Sequence, residues 1–368
     1  MMERTASGTS RGSVPSQRDD SMYVAHNLIL QFSVSMALKA VLELGIPDII
    51  ANAEGKKPLS AAEILAQLPT KSTPGPNICS KLKRLFRPLV REGFFSESVN
   101  CERETVYGLT KVSNWFIQEN ESNITSIADL QLSPTSFDCW DHLHEVILDD
   151  TAVPFVKAHG VDLFEYGNTE NTEYGALIQD GMVSYFNSHR DNMMDDLRQC
   201  GVLEGVTTLV DVGGGWGATI AEIVAEYPHI QGINFDLPRV IATAPPIKGV
   251  KHVAGNFFEA VPSADAMLLK IIMHDRGDEE SIKVLKSCHR ALPQNGKIII
   301  AEYILNKEDT SATAVYTEYI DLILLAFAEG ARERTKEEYK GLLLAAGFLR
   351  FEIIENTRSY AFIVAFKE

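Results

Sequence analysis

The 368-residue sequence has five cysteines (Cys79, Cys101, Cys139, Cys200 and Cys288) and no C-x-x-C pair among them. An odd number without that spacing argues against a disulfide framework or a thiolate zinc site, and a reducing, cytoplasmic compartment is expected. Long apolar runs are also missing. The greasiest stretches, 27–46 and 319–328, are broken by Gln31, Lys39 and Glu43 or are too short to span a bilayer. Residues 1–20 lack the apolar centre of a signal peptide and read as a disordered tail. Basic charge is in deficit, 34 Lys and Arg against 50 Asp and Glu, for a net charge of −16. A field of that sign disfavours nucleic acid and anionic membranes as non-specific partners.

What is present is an ordinary globular composition, 45% apolar and 23% charged, in a chain long enough for two or three domains. The charge is uneven. Residues 21–115 carry 11 basic and 8 acidic side chains, whereas 116–368 carry 20 and 39. Such asymmetry suggests two lobes.

The pattern over 22–44 predicts one long helix, apolar nearly all round, of the kind buried in a core or an oligomer contact. Ser60 and Glu63 are spaced as a capping box opening a short helix. A Pro-, Ser- and Thr-rich loop follows over 69–76. A helix is predicted over 78–92, with Gly93 where a C-cap belongs, then strands over 94–98 and 105–109. Helix, helix and β-hairpin at this scale resemble a winged helix. The basic run 81–91 tempts a DNA-binding reading, but its apolar residues recur at helical spacing, so its charges form a solvated face. A helical region extends over 113–199.

After Gly205 the pattern changes to strands alternating with helices, which predicts a mostly parallel sheet. Strands are expected over 207–212, 231–235, 250–254, 266–272 and 297–305. Two further strands, over 351–355 and 360–366, have only a short linker between them and predict an antiparallel edge. Domains are accordingly expected at 21–115, 116–200 and 201–368.

The sequence Gly213-Gly-Gly-Trp-Gly217 joins the first of these strands to a helix. Such a turn lets a ligand approach the backbone and aims free helix N–H groups at it. Asp236 ends the next strand, where a carboxylate can accept both ribose hydroxyls. The turn also fits G-x-G-x-x-A, so a nicotinamide-dependent oxidoreductase is an alternative, as is a winged-helix regulator without enzymatic activity.

The stretch LVDVGGGWG…GINFDLP…HVAGNFFEAVPSADAMLLKIIMHD…GKIIIAEYIL…ARERT resembles the plant small-molecule O-methyltransferases that use S-adenosylmethionine, such as the caffeic-acid, flavonoid and stilbene methylating enzymes. The resemblance covers nearly everything from Met22 on. It implies an α/β fold, a Rossmann-like methyltransferase domain preceded by a mostly helical winged-helix domain through which the chain forms a homodimer. It also implies a small phenolic acceptor. His274 would be the catalytic base, flanked by Glu302 and Glu333, with no metal. The chemistry agrees, because a phenol with a pKa near 10 stays protonated at neutral pH and needs a base.

By the same matching Gly213 would meet the amino-acid end of the cofactor and Asp236 its ribose. Asn256 and Phe257 would lie near the adenine, and Lys270 near a polar edge. Asn256 stands where Asp is usual in the family, and Arg276 where Trp is usual. Met182 would clamp the acceptor ring. Trp140, Tyr174, Ile178, Ile323, Leu324 and Phe327 would line the rest of the pocket, together with Tyr185. Caffeic-acid enzymes usually have Asn where Ala328 stands and His where Tyr185 stands, so this pocket is expected to be more apolar.

Overall fold

The computed structural model describes residues 20–69, 77–355 and 357–368. The expected tail, save Asp20, and most of the 69–76 loop lie outside them. Two compact units meet between Thr110 and Lys111.

In the first unit the expected single helix is two, Ser21–Leu30 and Phe32–Glu43, bent by 41° at Gln31. No single described helix is long and apolar enough to cross a membrane. Met22, Tyr23, Val24, Leu28, Ile29, Leu30 and Phe32 are all more than half exposed. The capping box forms in both halves: Ser60 N–H donates to Glu63 Oε2, and Glu63 N–H donates to Ser60 Oγ. It starts the helix Ala61–Gln67. The helix Ile78–Arg91 buries Leu82, Phe86 and Leu89 and leaves its charges outward. It ends at Gly93, whose φ of +74° is the left-handed conformation that glycine adopts without strain. Strands β1 (Leu59–Ser60), β2 (Phe95–Val99) and β3 (Thr105–Leu109) form an antiparallel sheet in the order β1-β3-β2. Phe86 stacks on Tyr107 beneath it, 4.2 Å between centroids.

In the second unit the helical region is a series of short pieces that ends in the long helix Thr172–Cys200. This region lies in the same compact unit as the sheet. The sheet strands are β4 (Thr208–Val212), β5 (Gln231–Asp236), β6 (Val250–Ala254), β7 (Ala266–Lys270), β8 (Lys297–Glu302), β9 (Arg350–Ile354) and β10 (Ala361–Phe366). Their order is β6-β5-β4-β7-β8-β10-β9. The first five are parallel, and β10 is antiparallel to both neighbours. Chain order reverses between β4 and β7, the crevice where open α/β sheets bind ligands. Two apolar layers sandwich the sheet, one including Met267, Leu269 and Tyr339, the other including Leu268, Ile299 and Phe362.

Two strands stop two or more residues before the expected end. Strand β7 stops at Lys270 because Ile271 takes φ +54°, a costly conformation for a β-branched residue. Strand β8 stops at Glu302, whose side chain turns to the loop after β7.

Candidate active site

The residues after β7 form a loop that several groups brace. Ile271 N–H donates to the Ala301 carbonyl. Glu302 Oε1 accepts from Ile272 N–H at 2.9 Å and Met273 N–H at 2.7 Å. Arg334 is fully buried and donates to the carbonyls of Met273 and Arg276, 2.6 Å each, and to Asp278. Arg332 N–H donates to the His274 carbonyl. His274 is thereby fixed at the carboxyl edge of the sheet and is itself buried.

Its ring meets three acids. Nδ1 lies 3.0 Å from Glu333 Oε1 and 4.0 Å from Glu302 Oε2. Nε2 lies 3.4 Å from Asp275 Oδ1. Glu333 does not pair with the arginines beside it, since Arg332 takes Asp278 and Glu338, and Arg334 takes Asp278. Burial alone would lower the His274 pKa, but Glu302, Glu333 and Asp275 outweigh it and raise it to about 9. Burial raises Glu302 to about 7 against the pull of His274. Burial raises Glu333 as well, opposed by its hydrogen bond to His274.

The glycine turn is shaped to receive a ligand. Gly213, Gly215 and Gly217 all have positive φ, and a Cβ on Gly213 would stand 2.6 Å from Ile272 Cδ1. Asp236 ends β5, its Oδ2 accepting from Gly215 N–H at 2.8 Å and its Oδ1 from Leu237 N–H. A carboxylate has lone pairs left after both bonds. The Phe257 ring reaches the Gly213 turn, and the Arg276 guanidinium lies 6.0 Å from its centroid. Asn256 Oδ1 accepts from Phe258 N–H at 3.0 Å, which leaves it one further lone pair. Burial lowers the Lys270 pKa while Asp211 and Glu302 raise it, and its Nζ lies 5.9 Å from the Phe186 centroid. A turn opened by three successive glycines, an acid at the strand tip and an aromatic wall fit an adenosine-bearing cofactor.

Of the expected acceptor residues, Trp140, Tyr174, Ile178, Ile323 and Phe327 pack into one apolar cluster. Trp140 and Phe327 meet edge to face at 6.3 Å. Leu324 is buried on the same helix as Ile323 and Phe327, Ala312–Phe327. Met182 is 56% exposed on the helix Thr172–Cys200. Tyr185 packs elsewhere, against the apolar layer that holds Tyr303 and Tyr360, and its hydroxyl donates to Tyr303. A buried phenol needs a polar partner, and Tyr303 supplies it on that side.

Sequence reasoning missed Asp275, Asp321 and Arg334. Asp321 accepts from Glu333 N–H at 2.8 Å and so orients the acid that touches His274. Only Asp275, adjacent to His274, had a signal in the sequence; Asp321 acts from the helix Ala312–Phe327 on the Glu333 backbone, and Arg334 acts on the distant loop after β7.

This strand order, with its crevice between β4 and β7 and a buried His–Glu pair beside it, is that of an open α/β fold with a ligand site at the carboxyl edge of its sheet. An O-methyltransferase domain matches residues 140–349, and an O-methyltransferase dimerisation domain matches residues 26–119. The (iso)eugenol O-methyltransferase of Clarkia breweri is 39% identical over 86% of each chain. The caffeic acid 3-O-methyltransferase of Medicago sativa is 37% identical over 86% of this chain and 87% of its own. The desmethyl-yatein O-methyltransferase of Sinopodophyllum hexandrum is 36% identical over 90% and 93%. Among solved structures, human N-acetylserotonin methyltransferase in complex with SAM matches with a TM-score of 0.77 over 96% and 99% of the two chains, at 22% identity. A calicheamicin-biosynthesis methyltransferase in its SAH-bound form matches at 0.80 over 95% and 98%, also at 22% identity. The chain belongs to the O-methyltransferase family and is an enzyme of that class. The oxidoreductase and regulator readings are set aside.

Proposed function

We propose that this enzyme methylates a phenolic hydroxyl of a phenylpropanoid, flavonoid or stilbene, with S-adenosylmethionine as donor and His274 as general base. S-adenosylmethionine supplies an electrophilic methyl on a sulfonium. Gly213, Asp236, Phe257 and Lys270 would hold it, with Asn256 at the rim near Glu259. The observation that carries the reading is the Glu333–Nδ1 contact. Once the ring is neutral, this contact favours the proton on Nδ1 and leaves the Nε2 lone pair to accept the phenolic proton. Glu302 and Glu333 then stabilise the imidazolium, and the proton leaves by exchange with solvent. Most of the acceleration comes from holding acceptor oxygen and methyl in line.

The base is proposed to work without a metal. His274, Glu302 and Glu333 offer ligand atoms within 4.8 Å of one another, but these gather on the Nδ1 side of the ring. Glu302 Oε1 is already committed to two backbone N–H groups. The acceptor ring is proposed to lie against Trp140, Ile323 and Phe327, with Met182 closing over it. A homodimer through the first unit is proposed from the exposed apolar residues of 22–32 and the dimerisation-domain match. Five free thiols fit a reducing compartment, the cytoplasm.

Labelled methyl transfer from S-adenosylmethionine to a panel of catechols, flavonoids and stilbenes tests the acceptor class. No transfer to any phenol would overturn it. Calorimetry with S-adenosylhomocysteine tests the donor site. Asp236→Ala is expected to weaken that binding by about 1.5–3 kcal/mol, the worth of hydrogen bonds to a charged group.

A further inference from the structure

The turn that carries Gly213 to Gly217 rests on a row of polar side chains not yet assigned a role. In the sheet register Asp211 of β4 pairs with Asn234 of β5, which pairs in turn with His252 of β6. Directly paired residues of neighbouring strands project from the same face. Asp211 and Asn234 are buried.

The hydrogens of the row can be assigned in sequence. His252 Nε2 lies 2.8 Å from the Pro245 carbonyl, an acceptor only, so Nε2 carries the ring proton. His252 Nδ1 is then an acceptor, and it takes one hydrogen of Asn234 Nδ2 at 3.1 Å. The other hydrogen of Nδ2 goes to the Gly215 carbonyl at 2.8 Å. The amide of Asn234 cannot be flipped, because its oxygen would then face two acceptors. Its Oδ1 therefore points to Gly214, where among the described residues it meets no donor. Asp211 Oδ2 is likewise buried without a donor. The two oxygens converge on one place: a Cβ on Gly214 would stand 2.7 Å from Asp211 Oδ2 and would collide with Asn234 Oδ1. Two acceptors brought together in a dry site repel unless one carries a proton.

We propose that Asp211 is a positioning residue that holds its carboxyl protonated and donates to Asn234 Oδ1, so that Asp211, Asn234 and His252 form one directed hydrogen-bond row that fixes the glycine turn for the cofactor. The proposal rests on the donor site read above. The groups facing Asp211 are Lys270 from β7, Asp236 from β5 and the Ile220 backbone N–H from the helix Ala218–Glu226. Burial, opposed by Lys270 and helped by Asp236, raises its pKa to about 7. The row is whole while Asp211 keeps its proton and loses a link as pH rises through that value. The turn's grip on the cofactor is then expected to slacken. Gly215 is the residue affected, since its carbonyl is bound by Asn234 and its N–H by Asp236.

Infrared difference spectroscopy of the full chain across neutral pH reads the proton directly, whether or not a nucleoside binds. A protonated-carboxyl band that vanishes on raising the pH, and is absent from Asp211→Asn, is expected. No such band would overturn the proposal. Calorimetry with S-adenosylhomocysteine at pH 6 and pH 8 reads the consequence. Wild type is expected to bind several-fold more weakly at pH 8. Asp211→Asn, whose amide donates at every pH, should bind equally at both. Asn234→Leu should bind about tenfold more weakly at both, the cost of leaving a buried polar group unpaired. If Asp211→Asn binds as poorly as Asn234→Leu while wild type is indifferent to pH, the ionised carboxylate is the working form and the proposal fails. If the band titrates but no S-adenosylhomocysteine binds at all, the donor assignment falls and the proton assignment stands.

Discussion

The two units break the usual sorting of residues in opposite directions. The first leaves Leu28, Ile29, Leu30 and Phe32 in the open, and the second encloses His274, Glu302, Glu333, Arg334, Asp211 and Asn234. Scattered exposed apolar side chains are common, but a contiguous apolar helix face marks a surface waiting for a partner. Buried charge is costly unless paired, so a cluster of it is kept for chemistry or for holding a loop. The first unit thus points to assembly and the second to catalysis.

The contrast predicts where each unit is vulnerable. Truncation through Leu44 removes the exposed apolar helices and is expected to abolish both assembly and activity, read by sedimentation and methyl transfer. Deleting residues 1–19 should change neither. A fully active species of 40.7 kDa at micromolar concentration would remove the case for a partner surface.

His274→Gln should lower kcat by about 10²–10⁴-fold, the range for loss of a general base, with S-adenosylhomocysteine affinity kept. The pH profile sharpens the same point. His274 is raised to about 9, so at neutral pH the free enzyme holds it protonated and unable to accept. kcat/KM is therefore expected to rise with pH from 7 toward 9, by up to tenfold per unit, and His274→Gln should lose that limb. The linked effect on stability has the opposite sense. A histidine with a raised folded-state pKa stabilises fully below its unfolded value near 6.5 and loses that contribution as pH rises through about 9. The Tm of wild type should fall across this window more steeply than that of His274→Gln.

Arg334→Met should cost about 3 kcal/mol in denaturant unfolding. That is the low end for breaking a buried ion pair, because Asp278 is half exposed. The smallest effect belongs to the open helix. Ile29→Ser should raise the dimer dissociation constant roughly tenfold, from apolar area no longer buried between copies. It should leave methyl transfer by the assembled enzyme unchanged.

Much of the fold was legible along the chain because its causes are local. Alternating strand and helix patterns, the capping box Ser60–Glu63, a second one at Thr335–Glu338, the glycine turn and the acid at the end of β5 each depend on residues a few positions apart, and all appear in the structure. His274, Glu302 and Glu333 were legible as a set, but their geometry was not. Which acid touches Nδ1 depends on Asp321 holding the Glu333 backbone and on Glu302 spending an oxygen on the loop after β7. Tyr185 has the same composition signal as Tyr174, yet the two face different clusters, because Ser136 is the partner of one and Tyr303 of the other. The sequence by itself determined the elements, their order and the chemical groups available, since propensity, periodicity and capping act over a turn or a strand. Only the tertiary structure decided the bend at Gln31, the strand ends at Lys270 and Glu302, and the row Asp211–Asn234–His252. The strand ends and the row are set by partners distant in sequence, and a side chain's direction is chosen by the hydrogen bond it can complete once the sheet is formed.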